Sequence, residues 1–195
     1  MDKVGSFLVS YLLGSIPFSF LIAKFIKDVD IRKIGTGNVG AANVFSSVSK
    51  GAGLAALVLD FLKGWLAVFL ASQVFSLDEF MTLVSGFFAI LGHNFPLFLG
   101  FRGGRGLASA IGIFSFTFFK PILFCGIATA VIFFFLRRLI LAILISTILF
   151  IILIFKEGVP NYIWSFVIFI VIFLVLRGYS TIEGEIKHLI RGGKK

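Results

Sequence analysis

Charge is scarce in this chain. Of its 195 residues only 14% are Asp, Glu, Lys or Arg, where soluble domains run to about a quarter. Cysteine is nearly missing as well. Cys125 stands alone inside an apolar run, so no intramolecular disulfide can form, and this argues against redox chemistry. Internal repeats and long polar linkers are absent, which leaves a single domain spanning 1–195. The first apolar run is long and lacks a small-residue cleavage site, so a signal peptide is not expected. Apolar side chains fill the space that charge leaves: they make up 59% of the sequence, with 27 Phe, and the mean hydropathy is +1.10. A soluble globule of this size cannot hide that much apolar surface. Collagen, coiled-coil, disordered and disulfide-scaffold classes fall on the same composition. The class that remains is all-α, a polytopic integral membrane protein. The net charge of +9 then reads as basic cytoplasmic loops beside anionic lipid, not as a nucleic-acid surface.

Apolar runs near membrane length, about 20 residues, lie at Val4–Ile26, Gly53–Phe75, Phe80–Leu99, Leu107–Leu136, Leu139–Phe155 and Asn161–Leu176. The first is interrupted by Gly14-Ser15-Ile16-Pro17. The fourth contains Lys120-Pro121 and predicts a break at Phe119-Lys120. Basic residues decide between one helix and two. With two helices there are seven spans, and fourteen Lys and Arg gather on one side against Lys3, Lys120 and Lys156 on the other, Lys63 being inside a span. With one helix the tally is eight against eight. The positive-inside rule therefore predicts seven transmembrane helices, the amino terminus outside and the carboxyl terminus in the cytoplasm. Three polar segments, 27–50, 92–106 and 177–195, fall on the cytoplasmic face.

These segments hold the unusual chemistry. In Arg32-Lys33-Ile34-Gly35-Thr36-Gly37-Asn38-Val39-Gly40-Ala41-Ala42-Asn43, three glycines in six residues let backbone N–H groups converge ahead of a helix start. That is a nest for an anion, usually phosphate, and a flexible interhelical loop is the plainer alternative. No Gly-Lys-Ser/Thr follows and no βαβ unit surrounds it, so it is neither a Walker A loop nor a dinucleotide fingerprint. In Gly92-His93-Asn94-Phe95-Pro96-Leu97-Phe98-Leu99-Gly100-Phe101-Arg102-Gly103-Gly104-Arg105-Gly106, two arginines flank paired glycines. Arg gives bidentate contacts to phosphate and Gly lets it come close; positive-inside charge explains the arginines equally well. A lone His such as His93 is more often a structural hydrogen-bonder than a base. Asp60 and Lys63 lie three apart within a span and share one helix face. They pair either for function or to fix helix packing. Gly14-Ser15-Ile16-Pro17-Phe18 reads as a kink that packs closely through small residues.

The order of these segments resembles the bacterial acylphosphate:glycerol-3-phosphate acyltransferase family (PlsY). The resemblance rests on Gly-Ser-Ile-Pro-Phe in the first span, Asp30-Ile31-Arg32, Gly35–Asn43, Asp60-x-x-Lys63-Gly64 and Gly92–Gly106, and covers about residues 11–112. It implies a seven-helix inner-membrane enzyme that moves a fatty acyl group from acyl phosphate to the 1-hydroxyl of glycerol 3-phosphate, forming lysophosphatidic acid. It also implies no cofactor, no metal and no coenzyme A, with membrane lipid and the two substrates as partners. By the same resemblance Thr36 and Arg105 take catalytic roles. Gly37, Asn38, Gly40, Asn43, His93, Arg102, Gly103, Gly104 and Gly106 take substrate-binding ones.

The chain departs from the family pattern at several places. The loop Ser of the family is Thr36 and its loop Thr is Ala42. Both lysines of its Lys-Gly-Gly-Lys run are Arg102 and Arg105. An Arg three residues after the second loop Asn is replaced by Ser46, and a His and an Asn in the carboxyl tail by Gly178 and Thr181. A charged hydrogen bond contributes about 1.5–3 kcal/mol, so the departures open an alternative. The chain would then be a divergent paralogue that keeps the fold and binds phosphate or lipid headgroups, with an altered acceptor or without catalysis.

Overall fold

The computed structural model describes residues 2–190, with side chains for residues 3–179. The basic tail Arg191–Lys195 and the side chain of Thr181 lie outside the described residues. Every long element described is a helix: α1 (Asp2–Ser15), α2 (Phe18–Lys27), α3 (Ala41–Ser47), α4 (Lys50–Gln73), α5 (Glu79–Asn94), α6 (Leu107–Thr117), α7 (Phe119–Leu136), α8 (Leu139–Lys156) and α9 (Asn161–Ile190). Short 3-10 turns sit at Ile31–Lys33 and Leu97–Leu99.

Among the described residues, six stretches are long and apolar enough to cross a membrane: Lys3–Lys27, Lys50–Gln73, Glu79–Leu99, Phe119–Leu136, Leu139–Lys156 and Asn161–Tyr179. The shorter apolar helix Leu107–Thr117 brings the total to seven, in line with the expected seven. This is a multi-pass membrane protein. The first stretch is α1 and α2 in series, broken at Ile16-Pro17 where the sequence places its kink.

Some boundaries differ from the sequence expectation. The fourth run breaks at Phe118, not at Phe119-Lys120, and Phe118 leaves helical geometry at φ −129°, ψ 59°. Pro121 then falls in the first turn of α7, where its missing N–H removes no helical bond. α4 and α5 begin before their apolar runs because Ser49 and Asp78 cap them, accepting from the N–H of Ala52 and Met81. α9 continues past Leu176 to Ile190, so the start of the polar tail is helical.

The chain divides into two compact units, Met1–Thr117 and Phe118–Lys195. In the first, glycines set helix approach. A Cβ on Gly14 would run into the backbone of Ala89, and one on Gly64 into the backbone of Ser109. Close backbone contact through small residues is how helices pack where lipid removes the hydrophobic incentive. Two hydroxyl bridges reinforce these seams: Ser6 Oγ to Ser85 Oγ at 2.9 Å across α1 and α5, and Ser109 Oγ to the Asp60 carbonyl at 2.9 Å across α6 and α4. The second unit consists of α7, α8 and α9, with exposed Phe and Ile suited to lipid and the thiol of Cys125 buried.

Candidate active site

The glycine-rich loop is fastened from below. Ile31, Val39 and Val44 are buried together with Ala23, Val48, Ala52 and Ala56, which pins the segment to α2 and α4. From within, one side chain ties it. The Asn43 Nδ2 donates to the carbonyls of Ile31, Ile34 and Asn38, each at 3.1 Å. Its Oδ1 accepts from the Thr36 N–H at 3.0 Å and the Ser47 hydroxyl at 3.1 Å. Gly35 and Gly37 take φ of +58° and +70°, a region that costs other residues strain.

This fastening takes up part of the expected nest. The N–H groups of Thr36, Gly37 and Asn38 are donated to Asn43 Oδ1, the Ile34 carbonyl and Thr36 Oγ1 respectively. They close on the loop itself, onto two of its side chains and one of its carbonyls, since backbone N–H groups need partners. Asn43, expected to contact substrate, has its amide committed to the loop.

The second glycine segment folds back on the end of α5. Gly103 N–H donates to the Asn94 carbonyl at 3.2 Å and Gly104 N–H to the His93 carbonyl at 3.1 Å. A Cβ on Gly104 would strike the His93 ring and the Val39 carbonyl. The two glycine segments, over sixty residues apart, therefore touch where Val39 and Gly104 meet.

Beside that contact lies a cavity of about 410 Å³ lined by Asp30, Arg32, Lys33, Gly37, Val39, Arg102 and Gly103. Its lining holds three cations and one carboxylate. Arg32 grips Asp30 through Nε at 2.9 Å and Nη2 at 2.7 Å, and its guanidinium lies 5.3 Å from the Phe20 ring centroid, within cation–π range. The hydrogen bonds from Arg32 hold the Asp30 carboxyl at about 2, below its usual range, and Asp30 in turn raises Arg32. Asp30 is thus ionised at any working pH, and Arg32 is held by Asp30 and Phe20 in the cavity lining.

Beneath the loop a second, buried polar cluster ties three helices together. Lys63 Nζ meets Asp60 Oδ1 at 2.8 Å and donates to the Ile16 carbonyl at 2.9 Å, at the break of the first span. Ser19 Oγ donates to Asp60 Oδ2 at 3.2 Å, and His93 Nδ1 stands 3.5 Å from Asp60 Oδ1.

A family model for glycerol-3-phosphate acyltransferase matches residues 4–192. The chain belongs to the glycerol-3-phosphate acyltransferase family. Relatives carrying that name include one from Ehrlichia canis (strain Jake), 40% identical over 83% of this chain and 84% of the relative. One from Aquifex aeolicus (strain VF5) is 39% identical over 78% and 79%. With one from a Wolbachia of Brugia malayi the identity is 47%, over 58% of this chain and 59% of the relative, so that alignment spans about three fifths of the relative's length. Among solved structures, the glycerol 3-phosphate form of PlsY, an integral membrane glycerol 3-phosphate acyltransferase, superposes with a TM-score of 0.87 at 33% identity, covering 100% of this chain and 95% of that one. Its lysophosphatidic acid form gives 0.84 at 31% identity over the same shares. The family and the fold expected from the motifs are borne out.

Of the residues singled out in the sequence, Gly37, Arg102 and Gly103 line the cavity, while His93 lines the small cavity beside Asp60. Gly104 forms the seam between the segments. Thr36 is exposed, Asn38 and Gly40 are half-buried in the loop, and Arg105 and Gly106 lie outside the cavity lining, half-buried and buried. Sequence reasoning left Asp30, Arg32 and Lys33 off its list of site residues. The Asp30-x-Arg32 spacing was the available signal, since two residues apart across a 3-10 turn lets the carboxylate cap the turn and grip the arginine. Ser19 carried no signal at all; only the helix break brings it to Asp60.

Proposed function

We propose that this chain transfers a fatty acyl group from acyl phosphate to the 1-hydroxyl of glycerol 3-phosphate, forming lysophosphatidic acid. The supporting observation is a cavity beside the meeting of the two glycine segments, lined by Arg32, Lys33 and Arg102. Both substrates are phosphate monoanions or dianions, and three cations in one cavity lining suit such groups. Acyl phosphate is an activated mixed anhydride. The acceptor oxygen attacks the acyl carbon, the carbon–oxygen bond to phosphate breaks, and the hydroxyl proton leaves with the departing phosphate. Binding both anions side by side supplies proximity, and the cations stabilise charge that shifts onto the leaving phosphate. In this reading Gly37, Gly103 and Arg102 touch phosphate. Thr36 and Arg105 approach the acyl-transfer centre from the rims of the two segments. Asn43, Gly40 and Asn38 keep the loop in shape.

The site lies on the cytoplasmic side of the bacterial inner membrane, with the amino terminus outside and the carboxyl terminus inside. The basic residues support this orientation, since the seven-span reading of the sequence gathers fourteen of them with the two glycine segments. With Cys125→Ser as background, Thr36→Cys and Ile190→Cys are expected to resist an impermeant thiol reagent in intact cells and to label in inverted vesicles. Labelling of either from outside would reverse the orientation.

Ser46 takes no part in holding an anion. Its hydroxyl donates back along its own helix to the Ala42 and Asn43 carbonyls at 3.1 and 3.2 Å. Arg32, already fixed by Asp30 and Phe20, supplies the missing charge. Ser46→Arg is therefore expected to change kcat/KM for glycerol 3-phosphate by less than about fivefold, whereas Arg32→Ala lowers it by roughly one to two decades. The measurement is product formation from palmitoyl phosphate and labelled glycerol 3-phosphate. A silent parent that Ser46→Arg awakens would favour the decayed-paralogue alternative.

A further inference from the structure

A buried ion pair within a span is costly, and removing one partner costs more than replacing both. Asp60 and Lys63 are such a pair, 1% and 4% exposed. Packing alone accounts for Lys63, whose ammonium satisfies the Ile16 carbonyl at the broken first span. It does not account for the direction of Asp60. One carboxylate oxygen, Oδ1, faces both Lys63 at 2.8 Å and His93 at 3.5 Å, while Oδ2 takes the Ser19 hydroxyl. His93 is itself buried, at 7% exposure. From His93 the path to the cavity is short: its carbonyl holds the Gly104 N–H, its ring edge lies against Gly104, and Gly104 bears on the Val39 carbonyl of the loop. Val39 lines both the small cavity beside Asp60 and the anion cavity.

We propose that Asp60 is a positioning residue: through His93 it fixes the turn at Gly103-Gly104 against the Gly37–Asn43 loop, and so sets the shape of the anion cavity. Asp60 touches no substrate. It holds the imidazole in one orientation, and the imidazole holds the turn. Lys63 and Ser19 complete the carboxylate's surroundings so that it can be buried at all. The inference rests on reading the 410 Å³ cavity as the anion site, and it assigns the intramembrane pair a part in substrate binding.

The test uses the full-length protein in detergent, with three readouts: binding of inorganic phosphate, amide exchange in the segment 95–106, and KM and kcat for glycerol 3-phosphate. The double variant Asp60→Asn with Lys63→Met removes both buried charges and so avoids leaving one unpaired. It should fold, yet bind phosphate and glycerol 3-phosphate about tenfold more weakly, because small misplacements in a site cost one or two decades. KM should rise more than kcat falls, and Gly103 and Gly104 should exchange faster. His93→Gln, which leaves the ion pair intact, should give the same pattern, and combining it with the double variant should add little. A pair that only packs helices predicts otherwise: a folded double variant with parental phosphate affinity, KM and exchange overturns the proposal. If the double variant does not fold, His93→Gln decides alone, and parental behaviour there overturns it too. A parent that binds phosphate but forms no lysophosphatidic acid refutes the proposed activity, while the phosphate and exchange readouts still judge the role of Asp60.

Discussion

Asn43→Leu is expected to unfasten the glycine loop. Leucine keeps the same branched arrangement of side-chain heavy atoms and removes every hydrogen bond. Three buried or half-buried carbonyls, of Ile31, Ile34 and Asn38, lose their donor, and the Thr36 N–H and Ser47 hydroxyl lose their acceptor. Leaving buried polar groups without partners costs about 1–3 kcal/mol each. Some of these groups can turn to water at the loop's exposed edge, so a net loss of about 3 kcal/mol is expected for the first unit. The loop carries Gly37 and Val39 into the cavity wall, and phosphate affinity should fall by roughly a hundredfold. Asn43→Asp should do no better, because it sets a carboxylate against three carbonyls. Thermal unfolding and phosphate binding on the same samples check both effects. A leucine variant with parental values on both would mean that the loop is held by its buried Ile31, Val39 and Val44 alone.

Gly104→Val should be the most damaging single change in the turn. The added side chain would occupy the place of the His93 ring and the Val39 carbonyl. Backbone cannot yield there without breaking the Gly104 N–H bond to His93 at 3.1 Å and the neighbouring bond of Gly103 to Asn94 at 3.2 Å. The turn must move outward and the two glycine segments part. Losing the alignment of the cations costs at least about a hundredfold in kcat/KM. Gly51→Ala is the matching control. A Cβ on Gly51 meets nothing within 4 Å, and an exposed helical Gly-to-Ala change stabilises by about 0.5–1 kcal/mol. The control should transfer acyl groups at the parental rate with slightly raised stability. If Gly104→Val matches the control in kcat/KM, the seam is not part of the site.

Much of the fold was legible from hydropathy and charge. The apolar runs locate the crossing segments, and the basic tally separates α6 from α7 where hydropathy alone shows one long run. Pro121 marks that break to within about two residues; the offset arises because proline is tolerated inside a first turn. The cap residues Ser49 and Asp78 lie outside the apolar runs they begin, which explains why α4 and α5 start earlier than the runs suggest. The site was legible in part. Glycine spacing located both segments, which come together where Gly104 approaches the Val39 carbonyl. What the spacing could not tell is where the loop's N–H groups go. Asn43 reads equally as a ligand or a staple until its five partners are placed. The pairing of Asp60 with Lys63 follows from their spacing along α4, but the approach of His93 and Ser19 depends on how α5 and the broken first span pack, and no local pattern encodes that.

The most direct test of the central claim is acyl transfer by the purified, full-length protein. Palmitoyl phosphate and labelled glycerol 3-phosphate are supplied without coenzyme A or added metal, and labelled lysophosphatidic acid is followed over time. The account predicts steady product formation that depends on both substrates and that drops with Arg32→Ala and with Gly104→Val. A well-folded parent that binds phosphate yet forms no lysophosphatidic acid would contradict it, and would leave the cavity as a phosphate or headgroup binding site on an acyltransferase fold.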